Sequence, residues 1–178
     1  MKIILIRHGE AEGNRDRQIM SRKDVPLTEL GKTQAHELID KLSGYEVDAI
    51  YCSPQLRARD TIRPYAESKN LEVVIEDRLM EIDFGDLIGK HPDSTVEDYG
   101  RTSDDMLNSY DYDLSRHGGE TSVEVRDRVQ SFLDVLKQKK LNTVIITTHD
   151  GIIRWLIYIL TGEKSTGVTN ASINEFNL

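Results

Sequence analysis

Cysteine occurs once in the 178 residues, at Cys52. A single thiol excludes an intrachain disulfide and a thiolate metal cluster. Long hydrophobic runs are missing too. The longest apolar stretch, Ile152 to Leu160, is interrupted by Arg154 and is too short to span a bilayer. The N-terminus lacks the apolar core and small-residue cleavage site of a secretory leader, because Arg7 and His8 arrive too early. These absences predict a cytoplasmic protein. Positive charge is in deficit, with 23 Lys and Arg against 31 Asp and Glu, for a net charge of −8. That balance disfavours nucleic-acid or anionic-membrane binding as the main role. An anionic small substrate stays compatible with it, since the local field outweighs the total. Internal repeats, low-complexity tracts and linkers are also lacking. What remains, 38% hydrophobic and 30% charged residues, fits one folded domain with a proper core.

Patterning along the chain predicts alternating strands and helices. Ile3-Ile4-Leu5-Ile6 reads as a buried central strand that ends in Arg7-His8-Gly9-Glu10. Thr28 is a helix N-cap before Ala35, Leu38, Ile39 and Leu42 at helical spacing. Val47 to Cys52 is a second strand, and Ser53-Pro54 then signals a helix start with Pro at its first position. Pro64 is expected to kink or break that helix. Leu71 to Ile75 is a third strand. Residues 85–118 read as an irregular, lid-like insertion with short helical pieces. Thr121 and Glu124 have capping-box spacing ahead of the stripe Val125, Val129, Phe132, Leu133 and Leu136. Val144 to Thr147 is a fourth strand, followed by an apolar helix from about Gly151 to Leu160 that should be buried on most sides. Ala171 to Leu178 reads as an edge strand. The order predicts a three-layer α/β/α sandwich with a mostly parallel mixed sheet, spanning residues 1–178 as one domain.

Both buried strands at the chain's two ends deliver a histidine. Arg7 and His8 follow the first, and Thr148-His149-Asp150-Gly151 follows the fourth. In open α/β sheets the carboxyl ends of the strands are where ligands bind. Arg7, His8, Arg57 and His149 together suit an anion with several oxygens: arginine clamps oxygens in bidentate fashion, and a neutral histidine is a competent nucleophile. Phosphoryl transfer needs such clamps, an in-line nucleophile and an acid for the leaving oxygen. Three carboxylates compete for the acid's part: Glu81, Asp83 and Glu10. Strand alternation would send Glu81 and Asp83 to one face. His36 should be solvent-exposed, and His91 and His117 lie in the irregular segment. No histidine pair has the helical spacing of a zinc motif, although two histidines with carboxylates remain an alternative. A hydrolase built on Cys52, His149 and Asp150 is another, opposed by the apolar strand around Cys52.

The ordered set of motifs resembles the histidine phosphatase superfamily, the phosphoglycerate-mutase-like fold. The match runs through Arg7-His8-Gly9-Glu10 with Asn14, Leu27-Thr28 with Gly31, Ser53-Pro54 with Leu56-Arg57-Ala58 and Thr61, and Leu79 with Glu81 and Phe84-Gly85. It continues through Gly118-Gly119-Glu120-Thr121, Thr148-His149 with Gly151, and Asn170-Ala171-Ser172-Ile173. The resemblance implies that His8 becomes a phosphohistidine, and that Arg7, Asn14, Arg57 and His149 hold the phosphoryl oxygens. It implies that Glu81 serves as general acid and then as base, with no metal and no cofactor.

The same superfamily contains mutases and hydrolases. Phosphoglycerate mutases carry Arg where this chain has Ile82, an Arg-Arg pair where it has Leu107-Asn108, and a Lys where it has Pro92. The missing cations and the acidic insertion favour hydrolysis of a small-molecule phosphomonoester. Phosphoglycerate-mutase-type transfer and a non-catalytic phosphate-binding regulator are the alternatives. Tyr99, Met106, Tyr110 and Tyr112 suggest an apolar lid for a neutral or aromatic leaving group. Asp150 stands where the family often has Gly, so its carboxylate must point away from a bound phosphate.

Overall fold

Five of the runs become strands: β1 (Lys2–Arg7), β2 (Ala49–Cys52), β3 (Val73–Ile75), β4 (Thr143–Thr148) and β5 (Ile173–Asn177). The computed structural model describes residues 1–178. The helices are α1 (Glu12–Arg15), α2 (Glu29–Lys41), α3 (Leu56–Lys69), α4 (Val96–Tyr99), α5 (Ser103–Ser109), α6 (Ser122–Lys137) and α7 (Asp150–Thr161). The sheet order is β3-β2-β4-β1-β5. The first four strands in that order run parallel, and β5 closes one edge antiparallel to β1.

The two faces of the sheet are sorted by the two-residue period of its strands. Ile4 and Ile6 of β1, with Ile50, Cys52 and Ile145, pack against Leu38, Leu42, Ile62 and Tyr65 of α2 and α3. Ile3 and Leu5, with Val144 and Ile146, face Val125, Phe132, Leu136 and Leu156 of α6 and α7. A strand covered on both faces has no polar side to offer, which is why these runs are continuously apolar. The fold is therefore the three-layer α/β/α sandwich with a mostly parallel sheet.

Local rules hold at several helix ends. The Thr28 side chain accepts a hydrogen bond from Gly31 N, and Thr121 and Glu124 form the reciprocal capping box of α6. They fail at α3, in two ways. Its N-cap is Gln55 and its first turn begins at Leu56, so Pro54 lies outside the helix. The helix also runs unbroken through Pro64. The buried stripe Ala58, Ile62, Tyr65 and Ala66 holds it against the sheet, which outweighs one lost backbone bond. Residues 80–84 are not a strand, so alternation does not orient Glu81 and Asp83. In α7 only the first half, Gly151 to Leu156, is buried throughout.

The segment 85–118 contains α4, α5 and three short 3₁₀ turns. Met106, Tyr110 and Tyr112 are buried in the larger core cluster, where Tyr112 Oη accepts a hydrogen bond from Trp155 Nε1 at 3.1 Å. They are core residues, and the apolar lid expected of them does not exist. Their aromatic area is used to fasten the segment to α7.

One close approach sets the first strand's exit. A Cβ at Gly31 would lie 2.0 Å from the Glu10 carbonyl oxygen, so α2 presses directly on the turn after His8. Gly31→Ala should destabilise the protein by about 1–3 kcal/mol. Urea denaturation of the variant against wild type measures this, and an unchanged midpoint contradicts the close packing.

Candidate active site

Strand register assembles the site. Arg7 pairs with Thr148 across β1 and β4, and Cys52 pairs with Thr147 across β2 and β4. The ladder continues one residue further: His8 N donates to Thr148 O at 2.9 Å, and Ser53 N donates to Thr147 O at 3.0 Å. His8, Ser53 and His149 thus leave three neighbouring strands at one level. The His8 and His149 ring centroids are 5.2 Å apart.

Beside them lies a cavity of about 230 Å³, lined by Arg7, His8, Asn14, Arg57, Glu81 and Asp150 among its 17 residues. Five of the six residues named from the sequence line this cavity. His149 does not; it sits fully buried behind His8. The insertion contributes Pro92, Ser103, Asp104 and Leu107 to the wall.

His8 is 3% exposed, and its Nδ1 lies 2.7 Å from the Gly9 carbonyl oxygen. A carbonyl only accepts, so Nδ1 carries the proton and Nε2 is left unprotonated. Arg57 Nε donates to that Nε2 at 3.3 Å. Burial, then Arg57, then Arg7, push the His8 pKa well below 6.5, so the ring is neutral near pH 7.

Arg57 itself is 1% exposed. Its Nη1 donates to Lys23 O and its Nη2 to Ser21 O, both at 2.8 Å. Burial brings its pKa down to about 10, which leaves it fully charged at neutral pH. Arg7 donates through Nη1 to the Val168 carbonyl and stands 3.7 Å from Asp150. Its Nε is buried without a partner. Asn14 Oδ1 accepts from Ala11 N at 3.0 Å, which leaves its amide nitrogen for the cavity.

The three candidate carboxylates separate cleanly. Glu10 accepts from the Thr28 hydroxyl at 2.7 Å and is absent from the cavity wall. Asp83 pairs with Arg22 at 3.3 Å and accepts from Gly85 N at 2.8 Å. Glu81 alone lines the cavity. Burial is the largest influence on it and raises its pKa, against the lowering effects of the Ile82 N–H and Arg57. A Cβ on Gly151 would come within 2.7 Å of Glu81 Oε1 and 2.6 Å of Ile82 Cδ1, so a side chain there would have to push this carboxyl aside beside the start of α7.

Several residues that organise the site carried no signal of that role in the sequence. Ser53 Oγ lies 2.8 Å from His149 Nε2, while His149 Nδ1 is buried without a partner. Gln55 accepts from Glu81 N at 2.8 Å and donates to Ser21 O at 3.0 Å. Ser21 adopts the left-handed backbone at φ 47°; its hydroxyl donates to Ile82 O and accepts from Phe84 N. Glu120 accepts from Arg22 and Arg128, and both arginines also reach the Glu81 carbonyl at 3.4 Å. The Glu81 segment is thus held by side chains far apart in sequence.

Other residues serve elsewhere. Asp150 is turned from the cavity centre by Arg154, which binds its Oδ2 at 2.8 and 2.7 Å, and by Val168 N on its Oδ1 at 2.8 Å. His36 and His91 are exposed. His117 pairs with Asp86 at 2.6 Å and Asp98 at 3.1 Å, outside the cavity. Cys52 is fully buried, and burial pushes its thiol pKa up to about 12, so it carries no thiolate at neutral pH. No three His, Cys, Asp or Glu side chains are grouped to hold a metal ion. No helix is long and apolar enough to cross a membrane.

The buried histidines link the site to stability. Burial, then Arg57, then His8 lower the His149 pKa well below 6.5. The unfolded chain takes up this proton near the ordinary value, so the folded state loses ground as pH falls below 6.5. Glu81, with a raised pKa, acts in the opposite sense and gains as pH falls. His149→Gln removes one titrating group, and its urea midpoint should fall less than that of wild type between about pH 7 and pH 5. An equal fall in both proteins contradicts a buried neutral His149.

Comparison with known proteins agrees with this architecture. Residues 3–178 match the family model of the histidine phosphatase superfamily (branch 1). The chain is 34% identical to phosphoserine phosphatase 1 of Hydrogenobacter thermophilus, covering 100% of this chain and 87% of that one. It is 29% identical to the adenosylcobalamin/alpha-ribazole phosphatase of Escherichia coli, covering 98% and 86%. Among solved structures, the mycobacterial glucosyl-3-phosphoglycerate phosphatase complexed with VO3 superposes with a TM-score of 0.87 at 25% identity, covering 98% and 91%. With two histidines, two arginines and a carboxylate gathered at the strand ends and a family match over nearly its whole length, the chain belongs to the histidine phosphatase superfamily.

Proposed function

We propose that the protein is a metal-independent phosphomonoester hydrolase, with no cofactor, working through a phosphohistidine on His8. The observation that carries this reading is the His8 tautomer: Nδ1–H is committed to Gly9 O at 2.7 Å, and the unprotonated Nε2, which accepts a long hydrogen bond from Arg57 Nε at 3.3 Å, belongs to a cavity shared with Glu81. The ring is held neutral by burial and by cations, which keeps the nucleophile available at neutral pH.

In the first step His8 Nε2 attacks phosphorus and the bond to the ester oxygen breaks. Protonated Glu81 gives its proton to the departing oxygen; a raised pKa suits it to that task. Arg7, Arg57 and Asn14 bind the phosphoryl oxygens, where charge spreads in the transition state; we keep His149 as a further donor through its unpartnered Nδ1, a role that requires the phosphoryl group to enter beyond the cavity wall. In the second step water attacks phosphorus, the Glu81 carboxylate takes its proton, and the bond to Nε2 breaks. Inorganic phosphate leaves and Glu81 is protonated again.

The relatives' names span several small phosphorylated molecules. The segment 85–118 forms one wall of the site within a single domain, and we assign it substrate selection. Ile82 is buried, and Pro92 and Leu107 line the cavity, so none supplies the cation a mutase uses for a second anionic group. The single cysteine, kept as a buried thiol, supports a cytoplasmic location.

Turnover of 4-nitrophenyl phosphate tests the reading. Wild type should be active with EDTA present, and His8→Ala should lose about 10³-fold or more in kcat. Rapid quench with labelled substrate should trap an acid-labile, base-stable phosphoenzyme in wild type only. Equal turnover by His8→Ala rules out the histidine mechanism, and loss of wild-type activity on chelation shows that a metal is needed.

A further inference from the structure

The backbone around Glu81 belongs to no strand, so its polar groups need partners from elsewhere. Two buried side chains supply them. Gln55 Oε1 accepts from Glu81 N at 2.8 Å. The Ser21 hydroxyl donates to Ile82 O at 2.8 Å and accepts from Phe84 N at 2.9 Å. The same two residues meet the Arg57 guanidinium at one atom. The Ser21 carbonyl oxygen accepts from Gln55 Nε2 at 3.0 Å and from Arg57 Nη2 at 2.8 Å. An unbroken chain of hydrogen bonds therefore runs from Arg57 through the Ser21 carbonyl and the Gln55 amide to the Glu81 backbone.

Gln55 is not spent on its own helix. It is the N-cap of α3, where a side chain ordinarily accepts from the first turn. It makes no such bond, and Asp24 Oδ1 takes the Leu56 N–H at 2.8 Å instead. Ser21 stands in the left-handed backbone at φ 47°, a conformation that a residue with a β-carbon rarely adopts. That backbone is where its carbonyl meets Arg57 and Gln55 while its hydroxyl meets Ile82 and Phe84. An amide is directional at both ends. An apolar side chain of the same size would fill the space and orient nothing.

We propose that Gln55, acting with Ser21, is the positioning residue that sets the Glu81 carboxyl against the Arg57 clamp, so that delivery of the proton to the leaving oxygen depends on it. The inference rests on the phosphatase reading above and adds a residue that acts through Glu81. Proton delivery is sensitive to small displacements of the acid, whereas the hold on phosphate through Arg57 keeps its own two carbonyl partners.

Two esters of similar shape separate this role from a merely structural one. 4-Nitrophenolate is a weak base and departs without a proton; the more basic phenolate of phenyl phosphate needs one. The readout is the ratio of kcat/KM for 4-nitrophenyl phosphate to that for phenyl phosphate. It is taken within one protein, so loss of folded enzyme cancels. Gln55→Leu should raise the ratio by about 5-fold or more over wild type, and Glu81→Gln should raise it at least as far. Ser21→Ala keeps the carbonyl and loses the bonds to Ile82 and Phe84; it should raise the ratio too, and it decides the matter if Gln55→Leu does not fold. A raised ratio in Glu81→Gln with a wild-type ratio in folded Gln55→Leu overturns this inference alone. A wild-type ratio in Glu81→Gln overturns the acid role of Glu81 and this inference with it. Wild type that hydrolyses neither ester overturns the phosphatase reading itself.

Discussion

The parallel register of β1, β4 and β2 is the constraint on which the rest depends. Arg7 opposite Thr148, and Cys52 opposite Thr147, make three strands end together. The two backbone bonds beyond them fix where His8 and Ser53 emerge. Strands with apolar side chains on both faces cannot slip by one residue without exchanging the layers they face, so this register is strongly specified. The helix layers on either side are therefore what holds two histidines, 141 positions apart in sequence, with ring centroids 5.2 Å apart.

Electrostatics at the site follow from how the cations are tied. Arg57 is fully buried, and two backbone carbonyls absorb part of its charge without neutralising it. An ion pair there would have cancelled the field that a phosphoryl group needs. Asp150 shows the opposite arrangement, since Arg154 pairs with its carboxylate at the cavity wall. The cavity wall carries the Arg7 and Arg57 cations even though the whole chain has a net charge of −8. The same cations, with burial, hold His8 and His149 neutral, while burial holds Glu81 toward its protonated form. One environment thus holds a histidine deprotonated and a carboxyl toward its protonated form.

The insertion has two faces with separate duties. Met106, Tyr110 and Tyr112 anchor it to α7, and Asp104 and Leu107 face the cavity. Aromatic residues in an irregular stretch looked like a ligand surface in the sequence. In the fold they supply the apolar area that lets a stretch with little regular structure stay ordered.

Fold class was legible because continuous apolar strands and capped amphipathic helices are local patterns, and most of the elements here follow them. The positions of Arg7, His8, Arg57 and His149 were legible because strand ends and helix starts follow from those patterns. Choosing Glu81 over Asp83 and Glu10 was beyond local pattern, since residues 80–84 form no strand and are placed by Gln55, Ser21 and Glu120. Ser53 looked like part of a helix start and turned out to lie against His149. Pro64 looked like a helix breaker, and packing against the sheet overrode it. The sequence alone determined which groups could do the chemistry, because residue type and strand ends are local facts. Only the tertiary structure decided which carboxylate lines the cavity, which tautomer His8 takes and which charges are paired, because those depend on contacts between residues far apart in the chain.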